Sequence, residues 1–96
     1  MTPDDVMLRL GRLDSDLKSR YGIVRIGVFG SHARGDARAD SDVDILVEFE
    51  RATFRGYMGL LHELEAVMGV PVDLVTVGAL KPALRDRILS EVRYVA

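Results

Sequence analysis

Cysteine is missing from this 96-residue sequence, and only two histidines are present. The chain can therefore form neither a disulfide nor a thiolate metal site, and two histidines give little support for a zinc site. An excess of positive charge is also missing, because 13 lysines and arginines stand against 15 aspartates and glutamates, for a formal net charge of −2. This balance argues against direct binding of nucleic acid through a broad basic surface.

Long hydrophobic runs are absent as well. No apolar run approaches the ~20 residues of a membrane span, and the N-terminus lacks the basic and then apolar pattern of a secretion signal. We therefore expect a cytoplasmic protein without a membrane segment. Hydrophobic residues make up 48% of the chain and charged residues 29%, as is typical of a globular protein. The length predicts a single domain over residues 1–96, whose thin core favours a partner surface or an oligomer.

Hydrophobic spacing and turn residues predict alternating helices and strands. A first helix begins with Thr2 as its N-cap, ends at Gly22 and carries apolar residues at helical spacing. Runs of β-branched and aromatic residues predict strands at 23–29, 43–49 and 72–77, with a short final strand at 93–95. Further helices are predicted at 31–35, at 55–68 and from Pro82 onward. This order predicts an α/β fold, with helices packed on a small mixed sheet.

The most informative stretch follows the first predicted strand, where the sequence reads GSHARG from Gly30 onward. Glycine at this point lets the backbone approach a ligand without a Cβ in the way. The amides from Ser31 onward lie where a helix would begin, and free N–H groups at a helix start favour phosphate. Arg34 can add a planar, bidentate phosphate contact, and the alternative is a structural ion pair with Asp36 or Asp40.

Two aspartates open the second predicted strand and are candidate metal ligands. Asp42 and Asp44 are two residues apart, so on a strand their side chains point to the same face. Carboxylates placed in this way repel each other unless a divalent cation lies between them. Oxygen ligands of this kind suit Mg²⁺.

A third aspartate, Asp73, is the only charged residue between positions 70 and 77. A lone acid inside such a run is costly if it is buried without a partner. It is either a solvent-facing residue of an alternating strand or a carboxylate that meets Asp42 and Asp44. Three carboxylates around one or two Mg²⁺ ions suit in-line attack at a phosphate, and Asp73 could then also accept a proton from the attacking hydroxyl.

The combination of GSxARG, SDxD at positions 41–44 and a later single aspartate in a strand resembles the nucleotidyltransferase fold of the DNA polymerase β superfamily. The short length is similar to that of its minimal nucleotidyltransferase (MNT) members. The resemblance implies phosphate contacts at Gly30 and Ser31, metal ligands at Asp42, Asp44 and Asp73, and a nucleotide-site role for Arg34. His32, inside the first motif, is interpreted as incidental. No motif residue is missing, which favours an active enzyme.

The resemblance also implies a substrate and a partner. Larger members carry extra domains that hold the acceptor, so here the acceptor is expected to be another protein. MNT proteins are commonly the antitoxins of HEPN-domain toxins and can transfer AMP from ATP to a tyrosine of the HEPN protein, which implies an Mg²⁺-dependent enzyme. Two alternatives stay open: a non-catalytic antitoxin that neutralises its partner by binding, and a transferase that modifies a small molecule such as an antibiotic.

Overall fold

The computed structural model describes residues 3–38 and 41–95. In chain order its elements are α1 (Pro3–Tyr21), β1 (Ile23–Phe29), α2 (Ser31–Arg34), β2 (Val43–Phe49), α3 (Phe54–Met68), β3 (Val72–Thr76), α4 (Pro82–Glu91) and β4 (Arg93–Tyr94). A 3₁₀ turn, Val77–Ala79, follows β3. None of the described helices is both long enough and apolar enough to cross a membrane.

The four strands form one mixed sheet in the order β3-β2-β1-β4, which confirms the predicted fold class. β1 runs antiparallel to both β2 and β4, whereas β2 and β3 are parallel and are connected through α3. A parallel pair needs such a crossover because a tight hairpin reverses the chain direction. The register places Asp44 of β2 between Phe29 of β1 and Asp73 of β3.

One face of the sheet is buried beneath α1 and α3. Alternate residues of β2 point into this core, and the residues between them point to the opposite face. The core contains Val6, Leu10 and Leu17 of α1, Ile26 and Val28 of β1, Val43, Ile45 and Val47 of β2, Leu60, Leu64 and Met68 of α3, and Leu74 of β3. Because this register is fixed by burial, Asp44 must lie on the other face.

Helix α3 is capped at both ends, which fixes the crossover between the parallel strands. The Thr53 hydroxyl accepts a hydrogen bond from Gly56 N–H at 3.0 Å, as an N-cap residue does. At the other end, Arg9 of α1 donates to the Met68 carbonyl at 3.0 Å. Gly69 follows in a left-handed conformation with a φ of 73°, and this terminates the helix.

The close pairing of β4 with β1 depends on Gly27. The Cβ of any larger residue there would lie 2.7 Å from the Arg93 carbonyl oxygen and 3.0 Å from the Tyr94 Cα. Both distances are shorter than van der Waals contact. The last strand can therefore pair with β1 only because residue 27 has no side chain. Arg25 covers the outer side of this contact, with its guanidinium carbon 5.4 Å from the centre of the Tyr94 ring.

Several predicted boundaries differ from the observed ones by one residue. The third strand ends at Thr76, because Val77 already belongs to the 3₁₀ turn. The third helix begins at Phe54 rather than at residue 55, and the last strand ends at Tyr94 rather than at residue 95. The predicted N-cap Thr2 lies outside the described residues. Helix α4 has no buried residue, and its Leu84 and Ile88 line a cavity on the surface of the protein.

Candidate active site

The three predicted carboxylates belong to one end of the sheet. Asp44 and Asp73 are direct register partners on β2 and β3, and neighbouring strands are about 4.8 Å apart. Paired residues point to the same face, so both side chains lie on the face away from the core. Asp42 precedes β2 by one residue and is exposed, as is Asp73. Asp73 is thus both solvent-facing and adjacent to Asp44, so its two interpretations are compatible.

Asp44 is the electrostatic centre of this group. Partial burial disfavours its charged form, and repulsion from Asp73 and Asp42 adds to this effect, which together raise the pKa of Asp44 to about 6. The positive charge of Arg34 opposes the shift. At neutral pH Asp44 is therefore ionised beside two other carboxylates, and a cation bound near all three would be stabilised.

The carboxylates are neighbours without forming a finished metal site. Among residues 3–38 and 41–95, no three Asp, Glu or His side chains converge on a point that could hold a metal ion. Like charges repel, which favours the separation of the three carboxylates. The donors are nevertheless the oxygen ligands that Mg²⁺ prefers, and the exposed side chains of Asp42 and Asp73 are free to rotate toward Asp44.

Gly30 directly follows β1 and lies close to the Asp44 carboxylate because it has no side chain. Its φ of 72° and ψ of −150° fall in a region that is essentially restricted to glycine. A Cβ at this position would overlap Asp44 Oδ2 and lie 3.0 Å from the Asp44 Cγ. The carboxylate can therefore rest against the backbone only because residue 30 is a glycine.

A cavity of about 340 Å³ lies beside Gly30. Its lining on one side is Gly30, Ser31, Arg34 and Asp44, and on the other side it is Leu84, Arg87, Ile88 and Glu91 of α4. Helix α2 is a single turn that ends at Gly35, whose amide donates to the Ser31 carbonyl. This turn places the predicted phosphate contacts and Arg34 on the same wall as Asp44.

Arg34 makes ion pairs with two carboxylates. Its Nε lies 3.3 Å from Asp36 Oδ2, and its Nη1 lies 3.2 Å from Glu91 Oε1. The structural pair with Asp36 that the sequence offered is therefore present, whereas Asp40 lies outside the described residues. Glu91 also accepts the Gly30 N–H at 3.0 Å. Sequence reasoning missed Glu91, because 61 residues separate it from Gly30 and no local pattern connects the two.

His32, which the sequence interpretation treats as incidental to the chemistry, is buried. Its side chain is 2% exposed, and its Nδ1 has no hydrogen-bond partner within the described part of the chain. Burial lowers the pKa of His32, and a hydrogen bond with the backbone of Asp42 opposes this shift. The ring therefore packs neutral behind the first aspartate of the SDxD motif.

The lowered pKa of His32 predicts a pH-dependent stability. Near pH 6 the unfolded chain, with a His pKa of about 6.5, binds a proton more readily than the folded chain, so the free energy of unfolding falls as the pH drops through this range. We expect wild type to lose more stability than His32→Gln between pH 8 and pH 5.5, as measured by urea unfolding. Both proteins retain Asp44, so the difference isolates the ring. Equal losses would contradict the prediction.

Comparisons with known proteins agree on one family. The sequence model of the nucleotidyltransferase domain family matches residues 10–95 of this chain. Protein adenylyltransferase MntA of Thermococcus cleftensis is 42% identical over 96 residues, which cover 99% of this chain and 97% of that protein. A solved structure assigned as a minimal nucleotidyltransferase is 41% identical, with a TM-score of 0.82, and the match covers 97% of this chain and 95% of that chain.

A more distant structure shares the fold. It is a chain from the complex of a tri-AMPylated Shewanella oneidensis HEPN toxin with an MNT antitoxin. The TM-score is 0.68 at 18% identity, and the match covers 95% of this chain and 71% of that chain. The family model spans nearly the whole sequence, and the similarity to MntA extends from end to end. The chain therefore belongs to the nucleotidyltransferase domain family.

Proposed function

We propose that this protein is an antitoxin that transfers AMP from ATP to a tyrosine hydroxyl of a HEPN-domain toxin. The observation that carries the proposal is the pairing of Asp44 with Asp73 directly beside Gly30. The name of the Thermococcus relative, a protein adenylyltransferase, supports the reaction. The AMPylated HEPN toxin in the Shewanella complex supports the acceptor. We place the reaction in the cytoplasm.

The cavity beside α2 is the proposed ATP site. Its volume of about 340 Å³ lies in the range of about 300–1,000 Å³ that is usual for small-molecule sites. Gly30 and Ser31 would hold the phosphates, since the bare backbone of Gly30 allows close approach. Arg34, whose side chain is 41% exposed, would add a charged contact from the same wall.

Asp42, Asp44 and Asp73 are the proposed ligands of Mg²⁺. The raised pKa of Asp44 supports this assignment, because repulsion among the three carboxylates would be relieved by a divalent cation. Mg²⁺ held by these carboxylates would offset the phosphate charge and stabilise the negative charge that develops during transfer. The protein's own contribution is to hold Asp44 in place against Gly30 while Asp42 and Asp73 rotate into position.

Asp73 is also the proposed acceptor of the tyrosine proton. Its exposed position on β3 leaves room for a side chain of a second protein to approach. The tyrosine oxygen forms a bond to the α-phosphorus, the bond between that phosphorus and the α–β bridging oxygen breaks, and pyrophosphate leaves. The proton passes from the tyrosine hydroxyl to the Asp73 carboxylate, as general base catalysis requires.

Labelled ATP tests the proposed reaction. The protein is mixed with Mg²⁺ and a HEPN-domain toxin as the candidate partner, using ATP labelled at either the α- or the γ-phosphate. We expect the α-label to appear on the toxin and the γ-label to remain in solution. Transfer of the γ-label would indicate phosphorylation instead, and transfer of neither label would contradict the proposed activity.

Two further arms separate the alternatives. If the protein neutralises its partner by binding alone, the double variant Asp42→Asn/Asp44→Asn will still protect cells that express the toxin, whereas our proposal expects loss of protection. If the acceptor is a small molecule, the α-label will appear on antibiotics of a test panel without any protein partner. Intact-mass analysis of the co-expressed toxin counts the AMP groups that have been added. Peptide mass analysis after digestion then identifies the modified residue.

A further inference from the structure

Glu91, the last residue of α4, accepts hydrogen bonds from two groups of the proposed phosphate site, the Gly30 amide and the Arg34 guanidinium. Its Oε1 accepts the Gly30 N–H at 3.0 Å and an Arg34 N–H at 3.2 Å. The Glu91 side chain is only 19% exposed, so much of it is withdrawn from water. A carboxylate in this position makes the same contacts as a phosphate oxygen, namely charge-assisted hydrogen bonds from a backbone amide and a guanidinium.

We propose that Glu91 is an internal competitor of the nucleotide, an inference that rests on the proposed function. The Gly30 amide has one hydrogen, so it cannot give a full hydrogen bond to Glu91 and to a phosphate at the same time. A carboxylate beside a triphosphate in one small cavity also adds like-charge repulsion. The nucleotide binds when Glu91 leaves these groups.

Glu91 leaves by rotation of its side chain, since the backbone around it is anchored. Two residues after Glu91 the chain enters β4, which pairs with Gly27 and Val28 of β1. Arg87 lies four residues earlier, on the same face of α4, and lines the same cavity. Among the described residues no carboxylate forms an ion pair with Arg87. Its guanidinium can therefore receive the carboxylate of Glu91 when a phosphate takes its place.

Glu91→Gln tests the competition because it keeps the size of the side chain and removes its charge. We expect this variant to bind ATP with Mg²⁺, and inorganic tripolyphosphate, about tenfold more tightly than wild type. Adenosine has no phosphate to compete with Glu91, so its affinity should not change. Isothermal titration calorimetry with the full chain measures all three ligands.

Asp86→Asn is the matched control. It makes the same change in net charge on the same helix, at an exposed residue that does not line the cavity. We expect its affinity for ATP to stay within about twofold of wild type, because exposed charges are screened by salt. A gain equal to that of Glu91→Gln would overturn the proposal, since net charge alone would then explain both.

Glu91→Ala separates competition from structural support, because it frees the Gly30 amide completely. Tighter binding of both phosphate ligands by Glu91→Gln and Glu91→Ala supports the proposal. Unchanged or weaker binding by folded variants, or failure of Glu91→Gln to fold, would overturn it and make Glu91 a positioning residue for Gly30 and Arg34.

If neither wild type nor any variant binds ATP with Mg²⁺, the proposed function itself fails. Thermal unfolding of each variant identifies the folded ones.

Discussion

Asp44→Asn is expected to stabilise the protein and at the same time to abolish AMP transfer. Burial and the charges of Asp73 and Asp42 make the ionised Asp44 carboxylate unfavourable, as its pKa of about 6 indicates. Asparagine fills the same space without the charge. After allowance for the partial exposure of Asp44, the gain is on the order of 1 kcal/mol at pH 7.5, or a rise of about 5 °C in Tm.

The pH dependence of this gain has a definite sign. The folded chain binds a proton at Asp44 more readily than the unfolded chain, in which the Asp44 carboxyl has its ordinary pKa of about 3.8. The unfavourable charge is therefore fully present well above pH 6, weakens as the pH falls through 6, and vanishes below pH 3.8, where both states become protonated. We expect the difference in Tm between wild type and Asp44→Asn to follow this course, measured by calorimetry with EDTA present.

The same substitution removes the central proposed metal ligand. Metal-ion stabilisation of a transition state contributes several kcal/mol, so we expect transfer of labelled AMP to fall by about 10³-fold or more. Asp86→Asn, which removes an exposed charge of α4, should change neither Tm nor transfer appreciably. A variant at Asp44 that is less stable than wild type at pH 7.5, or that still transfers AMP, would contradict the assignment.

Gly30→Ala is expected to destabilise the protein and to abolish transfer. The backbone at Gly30 has a φ of 72°, and the added Cβ would overlap the Asp44 carboxylate. Left-handed strain and the displaced carboxylate together should cost about 2–4 kcal/mol, which corresponds to a fall in Tm of 10 °C or more. Because Asp44 must move, AMP transfer should be lost even at temperatures where the variant is folded.

Gly35→Ala is the control for backbone strain. Gly35 also has a positive φ, of 85°, but an added Cβ would meet no atom within 4 Å. Its cost should therefore be limited to about 1–2 kcal/mol of strain, with transfer largely retained. The double variant Gly30→Ala/Asp44→Ala should be more stable than the sum of its single changes predicts, because the overlap is relieved. Strict additivity would show that the contact between residue 30 and Asp44 does not matter.

The sequence could predict much of this arrangement because the relevant signals are local. The apolar periods of β1, β2 and β3 determine which face each residue occupies, so Asp42 and Asp44 could be assigned to one side of the sheet. The meeting of Asp73 with Asp44 needed the order and direction of the strands. The motif resemblance assigned Asp73 to the same site as the other two carboxylates, whereas strand periodicity alone left its position open.

The remaining features depend on contacts between distant parts of the chain. Arg34 had two possible partners in its own loop, and only the tertiary structure adds Glu91 as a third. His32 lies within a polar motif whose spacing does not indicate burial or exposure, and the packing of α2 against the sheet buries it. In both cases the decisive neighbour comes from an element whose position no local pattern determines.

The absence of a side chain at Gly27 influences the proposed nucleotide site from inside the sheet. Residue 27 contacts no group of the proposed catalytic machinery, but it determines how closely β4 can approach β1. β4 in turn begins two residues after Glu91, so a bulkier residue 27 would shift the carboxylate without altering any ligand of the phosphates or the metal. If Glu91 competes with the nucleotide as proposed, nucleotide affinity can be tuned from a buried position three residues upstream of Gly30.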